Sequence, residues 1–415
     1  MHVCVIGAGV VGVTTAYFLA REGHCVTLVD ARAQPAEVAS YANGGQLSYS
    51  YVAPLAGPGV LPAVPGWLLR ADSPLRFTPR LDPQQWCWAL RFVQACTASA
   101  SQRSTAQMLT LSYLSRDTLH ALLEREPLAF GHQRNGKLIV YRTPGLLEKA
   151  RALVAYQAGH GARQQVLDAR QCLAREPALA ALEPQLAGGI YTAGEESGDC
   201  MAFTRALFER LRALPGATVR MNTAVQRLKR LGGRIVSAQT GEGGIEADAY
   251  VVATGLGSRD LLRPLGQNLP LYGLKGYSLS VPLAQDEPGA PAISVTDYER
   301  RIVYARLGNV LRIAAMVDMG VQDSRIDPRR IALLKRQVRE VFPRLDLDQA
   351  LQWAGVRPAT PHGKPLIGAC RAADNVWINA GHGALGFTLA CGSAALLADL
   401  MAGRRPAIDP APFAP

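Results

Sequence analysis

The first thirty residues alternate between apolar runs and small or polar positions. Residues 3–6 are wholly apolar, residues 13–22 carry apolar positions at helical spacing, and residues 26–29 form a second apolar run. Short apolar runs bounded by turns are typical of strands buried on both faces of a parallel sheet. The segment therefore predicts a strand, a helix that ends at Gly23, and a second strand, packed as one β-α-β unit.

Three glycines separate the first predicted strand from the helix. Gly7, Gly9 and Gly12 have the G-x-G-x-x-G spacing, and Asp30 ends the second strand. These glycines allow a tight turn, a close backbone approach to a pyrophosphate, and close packing of helix on strand. The helix N-terminus attracts phosphates, and an acid at this distance can accept from a ribose hydroxyl. We expect a dinucleotide site, the alternative being a glycine-rich turn in another kind of α/β protein.

The rest of the chain mixes helical and extended periodicity. Helices are predicted at residues 85–93, 105–126, 146–159, 203–214, 328–341 and 389–401. Strands are predicted at residues 137–141, 188–192, 218–221, 224–228, 234–239, 245–249, 274–281, 302–306, 310–315 and 376–379. We therefore expect an α/β protein in which the strands within residues 274–315 form an antiparallel sheet over a substrate pocket.

Two later segments return to the glycine-rich pattern. An apolar run from residue 249 ends in Thr254 and Gly255, and we expect it beside the first strand, where ligands bind at the carboxyl ends of strands. Residues 376–388 repeat the order of strand, glycine loop and helix, which suits a dinucleotide larger than NAD. The predicted domains are discontinuous: a Rossmann-like dinucleotide-binding domain of residues 1–80, 195–265 and 350–415, and a substrate-binding domain of residues 81–194 and 266–349.

Composition limits the class of protein. The chain has 415 residues, of which 48% are hydrophobic and 19% charged, so a globular protein of two or three domains is expected. Its eight cysteines form no C-x-x-C pair or Cys/His cluster, so we expect free thiols and no metal site. No apolar stretch approaches the ~18 residues that span a bilayer, and the first strand leaves no room for a signal peptide. A cytoplasmic location is expected.

The formal charge of +11 leaves the class of partner open. The basic residues are dispersed, which favours a solvated surface, with an anionic membrane as the alternative and nucleic acid disfavoured. An apolar, proline-rich stretch at residues 52–69 precedes a helix that carries Trp86 and Trp88. These segments either pack into the core or dock on the inner membrane. Replacing Trp67, Leu68 and Leu69 by Ser would test membrane docking.

Segments along almost the whole chain resemble the superfamily of FAD-dependent amino-acid oxidases and dehydrogenases, which includes glycine oxidase and sarcosine oxidase. They are most similar to the small, catalytic subunits of bacterial D-amino acid dehydrogenases. The matching segments are residues 5–14, 42–48, 56–60, 196–200, 274–279, 356–361, 381–386 and 390–393. The resemblance implies a glycine oxidase-like fold, FAD, oxidative deamination of D-amino acids to 2-oxo acids and ammonia, and electron transfer to a quinone or another non-oxygen acceptor.

The resemblance and the glycine loops together give the residues expected to contact FAD. They are Val5, Ile6, Gly7, Gly9, Val10, Val11, Gly12, Asp30, Ala31, Arg32, Ala42, Asn43, Gly44, Gly45, Gln46, Leu47, Val225, Thr254, Gly255, Gly381, His382, Gly383, Leu385, Gly386, Phe387 and Thr388.

Arg357 is the residue expected to hold the substrate carboxylate, because an arginine fork suits a bidentate contact and the superfamily carries such an arginine. Tyr277 and Tyr51 are candidate pocket hydroxyls, with plain packing as the alternative for each. Lys275 is expected either near the flavin or in a salt bridge, and His382 either tunes the flavin or caps a helix. The substrate amine must be neutral when the Cα hydride leaves, so the rate is expected to rise with pH.

The sequence also departs from the family at positions expected near the substrate. Tyr49-Ser50-Tyr51 stands where the family usually has Pro-Gly-Tyr, Phe387 replaces a usual Trp, and the segment around Met316 diverges. These departures leave the substrate open, and a cyclic D-imino acid such as D-proline or D-hydroxyproline is an alternative. A flavin-dependent tRNA-modifying enzyme, an oxidase that uses oxygen and a non-catalytic flavin-binding module are competing classes.

Overall fold

The computed structural model describes residues 1–62, 64, 72–284 and 287–415. The described helices are α1 (Val10–Arg21), α2 (Pro83–Ala95), α3 (Ala98–Arg125), α4 (Pro144–Ala158), α5 (Ala169–Arg175), α6 (Cys200–Arg212), α7 (Gly257–Leu262), α8 (Pro328–Val341) and α9 (Gly386–Met401). Short 3₁₀ turns lie at Pro177–Gln185, Arg263–Leu265, Gly383–Leu385 and Ala411–Phe413. Trp67, Leu68 and Leu69 lie outside the described residues.

Most of the predicted strands form, and others were not predicted, among them the strand Leu351–Ala359 that carries Arg357. The described strands are β1 (His2–Ile6), β2 (Cys25–Val29), β3 (Gln46–Leu47), β4 (Leu75–Phe77), β5 (Lys137–Tyr141), β6 (Gln165–Leu167), β7 (Gly188–Thr192), β8 (Glu196–Ser197), β9 (Ala217–Arg220), β10 (Val225–Leu231), β11 (Arg234–Thr240), β12 (Gly243–Ile245), β13 (Ala249–Val252), β14 (Tyr272–Pro282), β15 (Ser294–Asp297), β16 (Ile302–Leu307), β17 (Val310–Met319), β18 (Leu351–Ala359), β19 (Leu366–Ala369) and β20 (Val376–Ala380). The predicted hairpin forms with β11, but its second strand is β12 instead of residues 245–249, and beyond it the amide of Ala247 donates to the Tyr250 hydroxyl.

A six-stranded sheet has the order β19-β20-β13-β1-β2-β9. Strand β1 pairs in parallel with both β2 and β13, as the first β-α-β unit and the Thr254-Gly255 segment predict. Helices α1, α6, α9 and α3 pack in one layer around its apolar core. The carboxyl ends of β1, β2 and β13 therefore lie at one edge of the sheet, beside the N-terminus of α1.

A nine-stranded, mostly antiparallel sheet has the order β18-β14-β17-β16-β15-β5-β7-β6, with β4 paired to β17. One face, the core face, packs under α8 and carries Tyr277, Leu279, Tyr304 and Ile313. We call the opposite side the pocket face, because the loop of residues 42–47 from the other half of the chain covers it. A third, three-stranded sheet consists of β10, β11 and β12.

Some elements do not follow the predicted division into domains. Strands β18 and β4 belong to the nine-stranded sheet, although residues 350–415 and 1–80 were assigned to the dinucleotide-binding domain. Helix α3, assigned to the substrate-binding domain, packs against α9 beside the six-stranded sheet. Chain position alone does not show which sheet a strand joins, because strands that pair can be far apart in the chain.

The expectation that no apolar stretch approaches a membrane-spanning length is wrong for one segment. Gly383–Met401 is 19 residues long, with a mean hydropathy of 1.6 in its most apolar window. Most of that window, 61%, is buried inside the protein, where α9 packs against α1 and α3. A core helix of a folded domain has these properties, and its apolar composition follows from being covered on nearly all sides.

Candidate active site

The glycine turn between β1 and α1 has no room for side chains. A Cβ atom at Gly12 would lie 1.8 Å from the carbonyl oxygen of Gly7, and one at Gly7 would lie 2.6 Å from that of Ala253. Gly7 also has a φ of 111°, which L-residues with side chains rarely adopt. Gly9 caps α1 without any side chain, so the first turn of the helix approaches its surroundings as bare backbone.

Asp30 closes this turn from the end of β2. Its carboxylate accepts from the amide of Ala8 at 2.6 Å and from the amide of Arg32 at 2.8 Å. Each carboxylate oxygen keeps a further lone pair, which is what a ribose hydroxyl requires. Sequence reasoning missed Ser40, whose hydroxyl accepts from the amide of Val10 at 3.1 Å and so ties the following loop to α1.

Most of the predicted cofactor residues lie between this turn and the pocket face. Val5, Ile6, Gly7, Gly9, Val10, Val11, Gly12, Asp30, Ala31, Arg32, Thr254 and Gly255 lie at the carboxyl ends of β1, β2 and β13 or directly beyond them. Two of the predicted cofactor residues lie elsewhere. Val225 starts β10 in the three-stranded sheet, and Phe387 is buried against Phe203, with ring centroids 5.5 Å apart.

The loop of residues 42–47 lies on the pocket face and is bound there by backbone contacts. The carbonyl of Ala42 accepts a hydrogen bond from the Ser278 hydroxyl at 2.8 Å, and the carbonyl of Asn43 accepts one from Arg312 Nη1 at 2.9 Å. A Cβ atom at Gly44 would lie 3.0 Å from Val303, so the glycine lets the loop lie close to the strand. The loop therefore forms a thin layer of backbone over the sheet.

The N-terminus of α9 meets the same loop. Thr388 Oγ1 donates to the carbonyl of Gln46 at 3.4 Å and accepts from the amide of Ser48 at 3.3 Å. The structure thus brings together the predicted loops at residues 42–47 and 381–388. His382 lies behind them, where its Nε2 is 2.9 Å from the Ser393 hydroxyl on α9, and burial lowers its pKa to about 3. Its side chain therefore bonds to the middle of α9 and makes no capping hydrogen bond.

Arg357 extends from β18 across the pocket face. Its Nη1 donates to the carbonyl of Met316 at 3.1 Å, and no carboxylate lies within salt-bridge distance among the described residues. Burial lowers the pKa of the guanidinium, and no neighbouring anion opposes that shift. Gly276 makes the room, because a Cβ atom there would lie 2.2 Å from Arg357 Nη2. A desolvated cation without a protein anion is ready to bind an anionic group of a ligand.

Tyr277 and Lys275 lie on the other side of β14. The Tyr277 hydroxyl donates to Asp318 at 3.0 Å within the core face, and burial beside that carboxylate raises the pKa of the phenol. Lys275 Nζ donates to Asp323 at 3.1 Å. Because Arg357 pairs with Leu274, it shares a face with Leu274 and Gly276, not with residues 275 and 277. The two side chains therefore take the packing and salt-bridge alternatives, and neither reaches the pocket face.

Tyr51 does lie over the pocket face, beside β5. The ammonium of Lys137 on β5 is 4.2 Å from the centre of its ring, and the Arg301 side chain lies nearby. Burial raises the pKa of the Tyr51 phenol, so it remains a neutral hydroxyl. Tyr51 is thus available as a pocket hydroxyl.

Sequence reasoning missed the buried pair of Lys137 and Glu195, which fixes the segment from Ser48 to Tyr51. Lys137 Nζ donates to the Ser48 hydroxyl at 2.9 Å, and Glu195 accepts from the amide of Ser50 at 2.7 Å. Burial lowers the pKa of Lys137 to about 8 and raises that of Glu195, and each opposes the shift of the other through its charge. A charged residue at an inward position of the apolar strand β5 was the signal in the sequence.

Comparison with known proteins identifies the family. A family model described as FAD dependent oxidoreductase matches residues 2–400. The chain is 51% identical to D-amino acid dehydrogenase 2 of Ralstonia nicotianae, over 100% of this chain and 99% of that protein. It is 50% identical to D-amino acid dehydrogenase 2 of Pseudomonas aeruginosa, over 98% and 96% of the two chains. The chain therefore belongs to the family of FAD-dependent oxidoreductases.

Solved structures agree on the fold. Glycine oxidase of Geobacillus kaustophilus superposes with a TM-score of 0.77 at 24% identity, covering 99% of this chain and 97% of that one. L-proline dehydrogenase of P.horikoshii superposes with a TM-score of 0.76 at 15% identity, covering 98% and 94%. The α/β fold with a Rossmann-like domain and an antiparallel-sheet domain is thus confirmed.

The residues present fit FAD. The side-chain-free turn at Gly7–Gly12, the Asp30 carboxylate and the thin loop at residues 42–47 form a continuous surface of backbone and small residues. The phosphates would lie at the N-terminus of α1, and the isoalloxazine ring would lie toward the loop of residues 42–47 and the N-terminus of α9. FAD is the cofactor of this enzyme, as the resemblance implied.

Proposed function

We propose that this enzyme oxidises D-amino acids to 2-oxo acids and ammonia, and that Arg357 binds the substrate carboxylate. The observation that carries the proposal is the buried Arg357 guanidinium, which faces the pocket without a protein carboxylate. Its relatives named D-amino acid dehydrogenase, at 50–51% identity over nearly full length, support the substrate class.

The chain's own residues position the substrate for this reaction. When bound, FAD supplies the two-electron acceptor for the hydrogen on the substrate Cα. Arg357 would fix the α-carboxylate by two parallel hydrogen bonds, and the backbone layer over the sheet would exclude water from that contact. The substrate ammonium must lose a proton before oxidation, so kcat/KM should rise with pH. The imino acid that is released hydrolyses to the 2-oxo acid and ammonia.

A substrate panel tests the proposal directly. Holoenzyme is mixed anaerobically with D- and L-amino acids, including D-proline, and bleaching of the flavin absorbance is recorded. D-Amino acids should bleach the flavin and their L-enantiomers should not. If no D-amino acid bleaches it, the proposal is wrong, and bleaching by D-proline alone would favour the imino-acid alternative. Comparing oxygen with a redox dye as acceptor then separates an oxidase from a dehydrogenase.

We also propose that the electrons pass to a quinone at a membrane surface, to which α2 attaches the enzyme. Trp86, Leu90 and Val93 lie along one side of this helix and are 46–64% exposed. Trp88, on the opposite side, is buried, stacks on Phe92 and donates its indole N–H to the carbonyl of Ala359. Trp88 thus anchors the helix to the protein, and Trp86 is part of an exposed apolar stripe, as in interfacial helices.

Co-sedimentation with anionic liposomes tests this attachment. Replacing Trp86, Leu90 and Val93 by Ser should move most of the enzyme to the supernatant while dye-linked activity stays within about twofold. Leu231→Ser is the matched control, because Leu231 is 70% exposed on the distant β10 and should not affect binding. Equal sedimentation of the triple variant and the control would rule out α2 as the attachment site. Reduction of a short-chain quinone by the wild type tests the acceptor.

A further inference from the structure

We infer that Arg301 forms a second anion-binding subsite on the pocket face, which holds the side-chain carboxylate of an acidic D-amino acid. The inference rests on the proposed function, and it adds a preference for D-glutamate or D-aspartate over neutral substrates. It follows from the position of Arg301, its backbone conformation and the chemistry of its neighbours.

The strand register brings Arg301 next to the Arg357 site. Ile302 pairs with Ala315 in the β16–β17 ladder, so the next residues outward, Arg301 and Met316, face each other. Met316 is the residue whose carbonyl accepts from Arg357. Neighbouring strands are about 5 Å apart, so the backbone of Arg301 is one strand away from the atom that the Arg357 guanidinium contacts. The backbone of Arg301 therefore lies beside the contact that Arg357 makes, and its side chain extends from there to the ring of Tyr298.

Both facing residues have an uncommon backbone conformation. Arg301 has a φ of 54° and Met316 a φ of 68°, and neither is a glycine. Such residues are energetically unfavourable and concentrate at functional sites. Arg301 also ends the four-residue turn between β15 and β16, a position that glycine or asparagine usually occupies. An arginine at this position favours a role for its side chain over a role in the turn.

The Arg301 guanidinium is surrounded by tyrosines. It lies 4.3 Å from the ring centre of Tyr298, and the side chains of Tyr51 and Tyr141 are nearby. Among the described residues, no carboxylate lies within salt-bridge distance of the Arg301 guanidinium. The closest acids in the chain are occupied: Asp297 pairs with Arg142, and Glu299 accepts from the backbone of residues 142 and 143. Two phenol oxygens cannot satisfy five guanidinium donors, so donors remain for a ligand anion.

A second unsatisfied group lies beside the tyrosines. Thr296 is 2% exposed, and its hydroxyl has no hydrogen-bond partner. It pairs with Val303, which lies next to Gly44 of the covering loop, so its side chain is on the pocket face. A buried hydroxyl without a partner is unfavourable, and a bound carboxylate would accept from it. Arg301 and Thr296 thus provide donors on the same face of the sheet.

The test compares two nearly isosteric substrates, D-glutamate and D-glutamine, on the holoenzyme. Wild-type kcat/KM should favour D-glutamate at least tenfold, because only the carboxylate forms charge-assisted bonds to Arg301. Arg301→Asn should abolish this ratio while kcat/KM for D-glutamine changes by less than about threefold. Asparagine tolerates a positive φ, so the turn is retained. Arg325→Asn, at a side chain 89% exposed, is the matched control and should keep the wild-type ratio.

Binding without turnover gives an independent measurement. Glutarate, which carries two carboxylates, should perturb the flavin absorbance of the wild-type holoenzyme with a Kd at least tenfold below that of butyrate. Arg301→Asn should remove the difference, and Arg301→Lys should retain part of it. If Arg301→Asn does not fold, the comparison of glutarate with butyrate on the wild type still tests whether a second carboxylate is bound.

Three outcomes would overturn the inference. These are a wild-type ratio near one, a ratio unchanged in Arg301→Asn, or an equal loss for D-glutamate and D-alanine, which would assign Arg301 to the α-carboxylate. The proposed function is tested separately, because flavin bleaching by D-alanine or D-glutamine supports it even when D-glutamate has no advantage. Only a failure of all D-amino acids would contradict both.

Discussion

Gly276→Ala should impair substrate binding without touching the substrate or the cofactor. The added Cβ atom would lie 2.2 Å from Arg357 Nη2, 2.5 Å from Cζ and 2.8 Å from Nη1. Ordinary contact begins near 3.4 Å, so the guanidinium must withdraw by about 1.2 Å. Its anchor on the Met316 carbonyl, at 3.1 Å, would be broken by such a shift.

A displacement of this size has a predictable cost. A positioning error of 1 Å typically lowers the rate about 100-fold, or about 2.7 kcal/mol in the activation free energy. The arginine keeps its charge, so the loss should come from geometry and should affect KM for D-alanine more than kcat. Overpacking should also lower the free energy of unfolding by about 1–3 kcal/mol.

Steady-state kinetics with a redox dye, together with the flavin content of the purified protein, measure the effect. Gly145→Ala is the control, because nothing lies within 4 Å of its added Cβ atom at the start of α4. It should keep wild-type kinetics and stability. A Gly276→Ala enzyme with full flavin and a kcat/KM within threefold of wild type would refute the assignment of Arg357 to the substrate carboxylate.

Three further predictions follow from the described contacts. Arg357→Ala should raise the KM for D-alanine by about 10²–10⁴-fold, since two charge-assisted hydrogen bonds are lost, with FAD still bound; an unchanged KM would exclude this role. Asp30→Ala should weaken FAD binding at least tenfold, because the Ala8 amide in the glycine turn loses its acceptor. Titration of apoenzyme with FAD measures this affinity, and an affinity equal to that of the wild type would contradict the prediction. His382 is neutral in the fold with a pKa of about 3, against 6.5 when unfolded, so the unfolded chain binds its proton first as the pH falls below 6.5. At pH 5 this lowers the free energy of unfolding by about 2 kcal/mol relative to pH 8, and urea unfolding of His382→Gln should show that much less acid sensitivity.

The local elements of the dinucleotide site could be predicted from the sequence. The spacing of Gly7, Gly9 and Gly12 is confirmed as a turn in which added side chains would collide with backbone. The strand before it, the helix after it and the acid at Asp30 also form as predicted, with α1 beginning at Val10 rather than at residue 13. Apart from the contact of Gly7 with the Ala253 carbonyl, these features are local, since they depend on sterics and hydrogen bonds within about thirty residues.

The direction of side chains on β14 could not be predicted in the same way. Residues 272–279 of this strand are buried on both faces, so the sequence shows no alternation of apolar and polar positions that would mark the pocket face. Only the pairing of Leu274 with Arg357 shows that residues 274, 276 and 278 face the pocket. Tyr277 and Lys275 were expected there and face the other way.

The sequence by itself determined the class of fold and the cofactor, and it singled out Arg357, because glycine spacing and family-specific segments are readable without coordinates. The tertiary structure decided how distant residues meet. It places Gly276 under Arg357, Lys137 under Ser48, and Arg301 opposite Met316. Such contacts depend on strand register and on a β-bulge beside Gly276, and a shift of one residue would turn every side chain to the opposite face.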